Sequence, residues 1–262
     1  MKAYGIIPAR LHSSRLPRKL LLTDTGKPLL QYAWEVASRA KNLSEVIIAA
    51  DGEEIAAVAR SFGARVEMTG EHPSGSDRIA EVVRRALPDA DVVVNVQGDE
   101  PELDPGSLDR LVDLLAKRPD VEMATLATPI RDMATLLDTS CVKVVCAADG
   151  KALYFSRSPI PFYRDGRPED LLARTDGEQD ARAAIPSPWL LHMGVYAYRP
   201  EFLLAMTEMP RGRLEQLESL EQLRALEAGA SILVQVVQHR SVGIDTAADY
   251  AAFVARQRAV TR

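Results

Sequence analysis

Runs of consecutive apolar residues alternate along the first half of the chain with stretches in which apolar residues recur every three or four positions. The runs predict buried strands, and the periodic stretches predict amphipathic helices. The predicted strands cover residues 3–9 (with Pro8 as a stop signal), 46–50, 65–68 and 92–96. The predicted helices cover 28–40, 53–62, a segment that follows the stretch 72–78 and runs to about 86, and about 105–117. This strand–helix alternation predicts an α/β fold with a mostly parallel sheet flanked by helices.

The pattern changes at residue 123, because strand patterns then follow one another with only a short helical stretch at 133–137. Strands are expected at 123–129, 142–147, 152–156 and 190–198. Asp149-Gly150 predicts a hairpin between two of them. We therefore expect a mixed-sheet insertion. Residues 164–188 show no sustained periodicity, and a loop of this length is expected to be mobile or to be shaped by a partner subunit.

Leucine recurs every third position from Leu214 to Leu226, which predicts a helix around which the leucines wind. Its polar sector would hold Glu215, Glu218 and Gln222. Glu221 falls instead on an apolar side, so it is either paired or bound to a ligand, or the helix is irregular there. A strand at 232–238 and a last helix follow, with Asp245 or Thr246 as its N-cap.

Composition narrows the possible functions. The 262 residues are 47% hydrophobic and 26% charged, and the net charge of −5 argues against a sequence-independent grip on nucleic acid. No apolar run has the length of a membrane-spanning helix, so we expect a cytoplasmic protein without membrane contact. Cys141 and Cys146 lie too far apart on one predicted strand for a disulfide bond. The histidines lack zinc-site spacing.

Two stretches carry candidate chemistry at the ends of predicted strands. Residues 10–19 place cations and hydroxyls directly after strand one, where they form either a phosphate clamp or a solvated loop. Strand four ends in Gln97-Gly98-Asp99-Glu100-Pro101, whose acids either bind Mg²⁺ or are solvated on a turn. Neither a P-loop nor a Gly-rich dinucleotide turn is present.

The turn at residues 72–78 has two interpretations of its own, because Ser74 or Ser76 could cap the next helix or could contact a nucleobase. Cations combined with metal-binding carboxylates at strand ends suit a nucleoside triphosphate with Mg²⁺. The chemistry therefore favours nucleotidyl or phosphoryl transfer.

Eight motifs, in order along nearly the whole chain, resemble the sugar-acid cytidylyltransferases, specifically the family of 3-deoxy-manno-octulosonate (Kdo) cytidylyltransferases. They are Pro8-Ala9-Arg10 with Ser13, Arg15-Leu16-Pro17 and Lys19; Ser74-Gly75-Ser76-Asp77-Arg78; Asn95-Val96-Gln97-Gly98-Asp99-Glu100-Pro101; Met123-Ala124-Thr125-Leu126-Ala127; Ala152-Leu153-Tyr154-Phe155-Ser156-Arg157; His192-Met193-Gly194-Val195-Tyr196; Leu220-Glu221-Gln222-Leu223-Arg224; and Gly243-Ile244-Asp245-Thr246.

The resemblance implies a nucleotidyltransferase fold over residues 1–262, with a nucleotide-binding half at 1–122, a mixed-sheet sugar-side and dimer portion at about 123–200, and a return at 201–262. It also implies a cytoplasmic homodimer that makes CMP-Kdo and pyrophosphate from CTP and Kdo for lipopolysaccharide assembly. The implied cofactor is Mg²⁺.

The resemblance also implies roles for individual residues. Arg10, Ser13, Arg15 and Lys19 would grip the phosphates, Ser74, Ser76, Asp77, Arg78 and Gln97 would contact the cytidine side, Asp99 and Asp245 would bind Mg²⁺, and Arg157, His192, Tyr196, Glu221 and Gln222 would face the sugar. Arg15, Lys19, Asp99 and Asp245 are the implied catalytic residues, and Glu100 is treated as a neighbour. The implied step is in-line attack of the sugar's anomeric hydroxyl on the α-phosphate.

Two departures from the family pattern stand out. Arg18 replaces the glycine that usually precedes the loop lysine, which would change the loop's backbone or add a cation. The segment 164–188 is longer than the usual connection. The alternatives are a sister enzyme that uses 8-amino-Kdo or a nonulosonic acid, and a catalytically silent nucleotide-binding homologue.

Overall fold

The computed structural model describes residues 1–13, 15–175, 187–239 and 241–260. Its strands are β1 (Ala3–Ala9), β2 (Glu45–Ala50), β3 (Arg65–Met68), β4 (Val92–Asn95), β5 (Met123–Pro129), β6 (Lys143–Cys146), β7 (Ala152–Ser156), β8 (Leu190–Tyr198) and β9 (Ile232–Val236). Its α-helices are α1 (Leu29–Ala37), α2 (Glu53–Ser61), α3 (Gly75–Ala86), α4 (Pro105–Lys117), α5 (Met133–Leu137), α6 (Pro168–Thr175), α7 (Pro200–Glu208), α8 (Arg213–Glu218), α9 (Gln222–Glu227) and α10 (Ala247–Val260). A 3-10 helix covers Lys19–Leu21.

The chain divides into two compact units. The first consists of Met1–Arg118, Val195–Glu208 and Ser241–Arg262, and the second consists of Pro119–Gly194 and Met209–Arg240. Strand β8 gives its last residues to the first unit and its first residues to the second. The expectation of one nucleotidyltransferase domain over residues 1–262 stays a prediction. No helix in the described ranges is long and apolar enough to cross a membrane.

The first unit is built on a sheet whose strand order is β3-β2-β1-β4-β8. The pairs β1–β2, β2–β3 and β1–β4 are parallel. The end of β8 pairs antiparallel with β4, with Tyr196 opposite Asn95. The three valines of β4 are fully buried between β1 and β8. Each such side chain contributes about 1.5 kcal/mol or more through burial, which explains why an unbroken apolar run marks this central strand.

The carboxyl ends of β1, β2 and β4 lie at one edge of this sheet because the three strands are parallel. The ladder between β1 and β4 ends at the pair Ile6–Asn95, and the Val96 N–H then donates to the Ile6 carbonyl at 3.0 Å. Beyond that point the chain after β4 bends away through Gly98. A Cβ on Gly98 would meet the Ile7 and Leu20 side chains at 3.3 Å, so a larger residue here would require these side chains to shift by a few tenths of an ångström.

The second unit contains the mixed pairing. Strands β5 and β9 pair parallel, β6 and β7 form an antiparallel hairpin, and β6 pairs antiparallel with the start of β8. The hairpin turns at Gly150, whose φ is +85°. The predicted mixed-sheet portion and the predicted hairpin are confirmed, as is the α/β fold with a mostly parallel sheet. Both cysteines are free, as the sequence predicts.

The predicted bounds 3–9 are those of β1, but Pro8 does not stop the strand, since β1 continues through Pro8 to Ala9. A proline lacks the N–H that a ladder needs, which makes it rare in central strands. Here β4 has already ended opposite Ile6, so the missing N–H leaves no bond to β4 unmade.

The single helix predicted from the leucine repeat is also wrong. The chain forms two short helices, α8 and α9, separated at Ser219, whose φ of +52° breaks the helical path. Leu217 is therefore 72% exposed, whereas Glu215, assigned to the polar sector, is buried. Arg224 compensates Glu215, because Nε and Nη2 donate to its two carboxylate oxygens at 2.8 and 2.6 Å. The repeat does not encode this buried charge pair, so it does not predict which face of α8 is buried.

The segment 164–188, predicted to be without regular structure, contains helix α6. Leu172 of this helix packs in a cluster with Trp189, Ile130 and Leu136. The prediction is wrong for these residues because one buried leucine suffices to dock a short helix. Residues 176–186 of the segment lie outside the described ranges.

Candidate active site

A cavity of about 320 Å³ opens in the first unit where β1 and β4 end. Nine of the residues that the sequence assigns to the nucleotide and the metal line it: Arg10, Ser13, Arg15, Lys19, Ser74, Arg78, Gln97, Asp99 and Asp245. Ser76 and Asp77 lie beside it in the first turn of α3. Residues from four separate parts of the sequence therefore surround one space.

Lys19 lies at the centre of the charged part of the cavity. Its side chain is 10% exposed, and its Nζ donates to Asp99 Oδ2 at 2.5 Å and to Asp245 Oδ1 at 3.1 Å. Arg15 also contacts Asp245, with Nη2 at 2.9 Å from Oδ1. Two carboxylates that stand far apart in the sequence thus face one point, and a cation occupies that point.

A backbone hydrogen bond brings the two carboxylates together, since the Ile244 N–H donates to the Asp99 carbonyl at 2.9 Å. Of the two candidate caps for α10, Thr246 takes the role: its hydroxyl accepts from the Asp249 N–H at 3.1 Å. Asp249 in return accepts from the Thr246 N–H at 2.8 Å. The side chain of Asp245 is therefore left to face the cavity.

The loop that carries Arg15 and Lys19 turns sharply at Arg18, which has a φ of +56°. This left-handed conformation favours glycine. The Arg18 guanidinium forms an ion pair with Glu54 at the start of α2. Arg18 thus keeps a glycine-compatible backbone, and its cation is directed towards α2.

Glu100, the residue after Asp99, has a buried carboxylate oxygen and a raised pKa. Its Oε2 is buried without a hydrogen-bond partner among the described residues. Burial raises the pKa of Glu100 to about 7, the charges of Asp99 and Asp245 add to this rise, and the Ser241 hydroxyl opposes it. The motif Asp99-Glu100-Pro101 gave the signal, but neighbouring acids in a sequence do not reveal which one is buried.

The turn before α3 forms another wall of the cavity. Ser74 caps α3: its hydroxyl oxygen accepts from the Asp77 N–H at 3.1 Å, and its hydroxyl donates to the Asp77 carboxylate at 2.7 Å. Arg78 is 5% exposed and donates through Nη1 to the Gly70 carbonyl at 3.2 Å. His72, which the sequence did not single out, also lines the cavity. A lone histidine on a turn carries no spacing signal that could have revealed this.

The residues assigned to the sugar lie in the second unit, except Tyr196, which stands opposite Asn95 at the end of β4 in the first unit. In the second unit the Arg157 guanidinium donates to the carbonyls of Glu218 at 2.7 Å and Thr139 at 3.0 Å. Arg157 therefore holds the backbone at the break between α8 and α9.

His192, on β8, has a neutral ring. Burial lowers the pKa of His192 to about 3. Its Nε2 lies 3.0 Å from the Thr125 hydroxyl, and its ring packs edge-on against Phe155. At neutral pH the imidazole can therefore exchange hydrogen bonds but carries no charge.

Glu221 stands at the N-cap position of α9, which agrees with the irregular-helix interpretation of its placement. Gln222, assigned to a polar sector by the sequence, is 5% exposed. Its Nε2 is buried without a hydrogen-bond partner in the described part of the chain. Such a donor is costly unless a ligand or water completes it.

Comparison with known proteins shows which family the chain belongs to. Residues 4–232 match the model of the cytidylyltransferase family. The 3-deoxy-manno-octulosonate cytidylyltransferase of Rhodopirellula baltica is 46% identical over 98% of both chains. The chain belongs to the cytidylyltransferase family. The enzyme of the same name from Geobacter sulfurreducens is 44% identical over 95% of this chain and 96% of its own.

Solved structures agree with the cytidylyltransferase assignment. The structure of CMP:2-keto-3-deoxy-manno-octonic acid synthetase complexed with CTP is 36% identical, covers 99% of this chain and 100% of its own, and has a TM-score of 0.87. A cytidylyltransferase from Leptospira borgpetersenii, 16% identical with a TM-score of 0.61, covers 97% of this chain and 86% of its own and supports the fold alone.

The cavity contains two kinds of chemistry. Arg10, Arg15 and Lys19 can neutralise phosphate oxygens, and Asp99 and Asp245 can hold a divalent cation. Within the described residues no three His, Cys, Asp or Glu side chains form a metal-binding group. A cation held here would therefore need further oxygen ligands from a nucleotide or from water.

Proposed function

We propose that this chain makes CMP-Kdo and pyrophosphate from CTP and 3-deoxy-D-manno-octulosonate. The observation that carries the proposal is the pairing of Asp99 and Asp245 around Lys19 in a cavity lined by further cations. The full-length similarity to 3-deoxy-manno-octulosonate cytidylyltransferases supports the choice of both substrates.

In the proposed reaction the anomeric hydroxyl oxygen of Kdo forms a bond to the α-phosphorus of CTP. The bond from that phosphorus to the bridging oxygen breaks, pyrophosphate leaves, and the hydroxyl proton passes to water. Arg15 and Lys19 would offset the charge that develops on the leaving pyrophosphate. Holding both substrates in line supplies much of the rate enhancement. The Kdo hydroxyl is itself the nucleophile, so no side chain has to form a covalent intermediate.

The residues fit Mg²⁺ as the cofactor, because a cation already lies between the two carboxylates in the form of the Lys19 ammonium. Asp99 and Asp245 would hold the metal. When bound, Mg²⁺ lowers the pKa of a coordinated hydroxyl and neutralises phosphate charge. Lys19 and Arg15 would then turn from the carboxylates to the phosphates.

On the nucleotide side, Arg10 and Ser13 would add to the phosphate contacts, and Ser74, Ser76, Asp77, Arg78 and Gln97 would form the cytidine side. The capped start of α3 supports this assignment, because backbone N–H groups at a helix start suit polar ligand atoms. Arg78 is tied to the turn itself, so its contribution would be to shape the cytidine side.

On the sugar side, Arg157, His192, Tyr196, Glu221 and Gln222 would contact Kdo. The unpaired buried amide of Gln222 supports this assignment, since a sugar hydroxyl could accept its hydrogen bond. His192 is neutral, so it could form a hydrogen bond with a sugar hydroxyl but carries no charge that would attract the Kdo carboxylate. Arg157 would contribute through the backbone that it holds in place.

We also propose that the chain acts as a homodimer in the cytoplasm. Large apolar side chains of the second unit support a second copy as partner, because Leu153 is 63% and Phe162 is 87% exposed. The measurement is light scattering of the purified protein: a mass of two chains is expected, and a single-chain mass contradicts the dimer.

Pyrophosphate release with CTP, Mg²⁺ and Kdo tests the proposed reaction. We expect turnover that requires all three components and stops with EDTA. Parallel reactions with 8-amino-Kdo and a nonulosonic acid separate the sister activities. Turnover with one of these sugars but not with Kdo would refute the substrate, and CTP binding without turnover on any sugar would indicate a silent homologue.

A further inference from the structure

The turn between β3 and α3, residues 69–74, forms the wall of the cavity that is proposed to face the nucleotide. His72, Pro73 and Ser74 of this turn line the cavity. The turn leaves the sheet at Thr69, whose N–H donates to the Ala50 carbonyl at 2.9 Å. Beyond Thr69, the position of the turn depends on contacts with the helix behind it.

Two side chains of α3 hold the peptide groups of Gly70 from behind. Glu81 Oε2 accepts from the Gly70 N–H at 3.0 Å, and Arg78 Nη1 donates to the Gly70 carbonyl at 3.2 Å. Arg78 also donates to the Thr69 hydroxyl. Residues 78 and 81 stand on the same face of the helix, because positions three apart are neighbours there. Both polar groups of one exposed glycine are thereby fixed.

The same oxygen of Glu81 holds His72. The Nε2 of His72 lies 2.6 Å from Glu81 Oε2, and a carboxylate can only accept, so the Nε2–H donates. This hydrogen bond lowers the pKa of Glu81, and the Gly70 N–H adds to the effect. Glu81 therefore stays charged at neutral pH and fixes one edge of a ring that lines the cavity.

We propose that Glu81 is a positioning residue for CTP binding. It acts through Gly70 and His72, which it holds against α3 so that the wall formed by residues 72–74 is set before the nucleotide arrives. Its contribution falls on nucleotide affinity and not on the chemical step, because Asp99, Asp245 and Lys19 lie on other segments of the chain. This inference rests on CTP being the nucleotide of the proposed function.

The test is the replacement Glu81→Ala, with Glu81→Gln as the shape-preserving variant and Glu71→Ala as the matched control on the exposed part of the same turn. CTP affinity is measured by calorimetry without sugar acid, and kcat and KM are measured by pyrophosphate release. We expect E81A to weaken CTP binding and to raise KM by about tenfold with kcat within about threefold, because only part of the free energy of the two lost hydrogen bonds to Glu81 is transmitted to the nucleotide. E81Q should weaken binding by about threefold, and E71A should match the wild type.

A double-mutant cycle with His72→Ala shows whether Glu81 acts through its partner. If it does, E81A costs less affinity in the H72A background than in the wild type. CTP affinity of E81A within twofold of the wild type would overturn the proposal, as would a loss of kcat with KM unchanged. Should E81A fail to fold, E81Q decides: unchanged CTP affinity overturns the proposal. A wild-type protein that binds CTP but does not use Kdo would refute the proposed reaction and leave this measurement valid.

Discussion

Replacing Glu100 by glutamine should remove a pH-dependent cost to the stability of the first unit. Glu100 follows Asp99 directly, and its Oε2 is buried without a hydrogen-bond partner among the described residues. Burial raises the pKa of Glu100 from 4.5 to about 7, with the charges of Asp99 and Asp245 adding to the rise. Glutamine keeps the shape of the protonated side chain and never ionises, so the variant isolates the charge.

The sign follows from which state holds the proton more tightly. The folded protein binds it with a pKa of about 7 and the unfolded chain with the ordinary 4.5. The stabilisation from this proton is fully present below pH 4.5 and is lost as the pH rises through 7. The complete change corresponds to about 3 kcal/mol in the free energy of unfolding. The free energy of unfolding of E100Q, relative to that of its parent with Glu100, should therefore increase by about 2 kcal/mol between pH 5 and pH 8.

The assay is urea denaturation at a series of pH values in EDTA, which excludes metal effects on the carboxylates. The chain has two tryptophans, Trp34 in the first unit and Trp189 in the second. A Trp189→Phe background therefore lets Trp34 fluorescence report unfolding of the first unit. Glu71→Gln, at an exposed position, is the control and should show no such pH trend. A difference between E100Q and its parent that is equal at pH 5 and pH 8, or that reverses sign, would refute the buried-carboxyl argument.

Three further substitutions test separate parts of the structure. Asp99→Asn should lower turnover in the pyrophosphate assay by about 100-fold or more while circular dichroism stays unchanged; a fully active variant would contradict the metal assignment. Arg18→Gly should be more stable than Arg18→Ala by about 1 kcal/mol in urea denaturation, since both lose the ion pair with Glu54 and only glycine removes the left-handed strain; equal stabilities would argue against strain. Arg224→Met should destabilise the second unit by about 3–5 kcal/mol by leaving the buried Glu215 uncompensated, and a loss below 1 kcal/mol on urea denaturation would contradict this.

The parts of the fold that the sequence predicted well are those determined by local pattern. The apolar run of β4 and the Asp149-Gly150 turn each specify one local conformation, and the structure contains both. Helix α4 also matches, because Asp104 caps it and Pro105 begins it. The rule that loops after parallel strands meet at one sheet edge predicted that the loop after β1 and the end of β4 lie together, as the cavity lining shows. Asp245 was assigned by the resemblance alone.

The misses concern side-chain contacts that no local sequence pattern encodes. The leucine repeat predicts one helix, yet the ion pair between Glu215 and Arg224 joins two helices across a break. His72 and Glu81 meet only because the turn folds back on α3. No periodicity reports such pairs, since each depends on where the backbone has already been placed.

The backbone, more than any side chain, determines where the candidate site forms, and Arg18 illustrates why substitutions are tolerated around it. The hydrogen bond from Ile244 to the Asp99 carbonyl sets the spacing of the two carboxylates, and the turn at Arg18 sets the approach of Lys19. The resemblance leads one to expect glycine at position 18, and arginine there adopts the same left-handed region at a cost of about 1–2 kcal/mol. Its guanidinium is held by Glu54 on α2. The departure therefore changes the energy and the charge of the loop while keeping the backbone path that places Lys19 between Asp99 and Asp245.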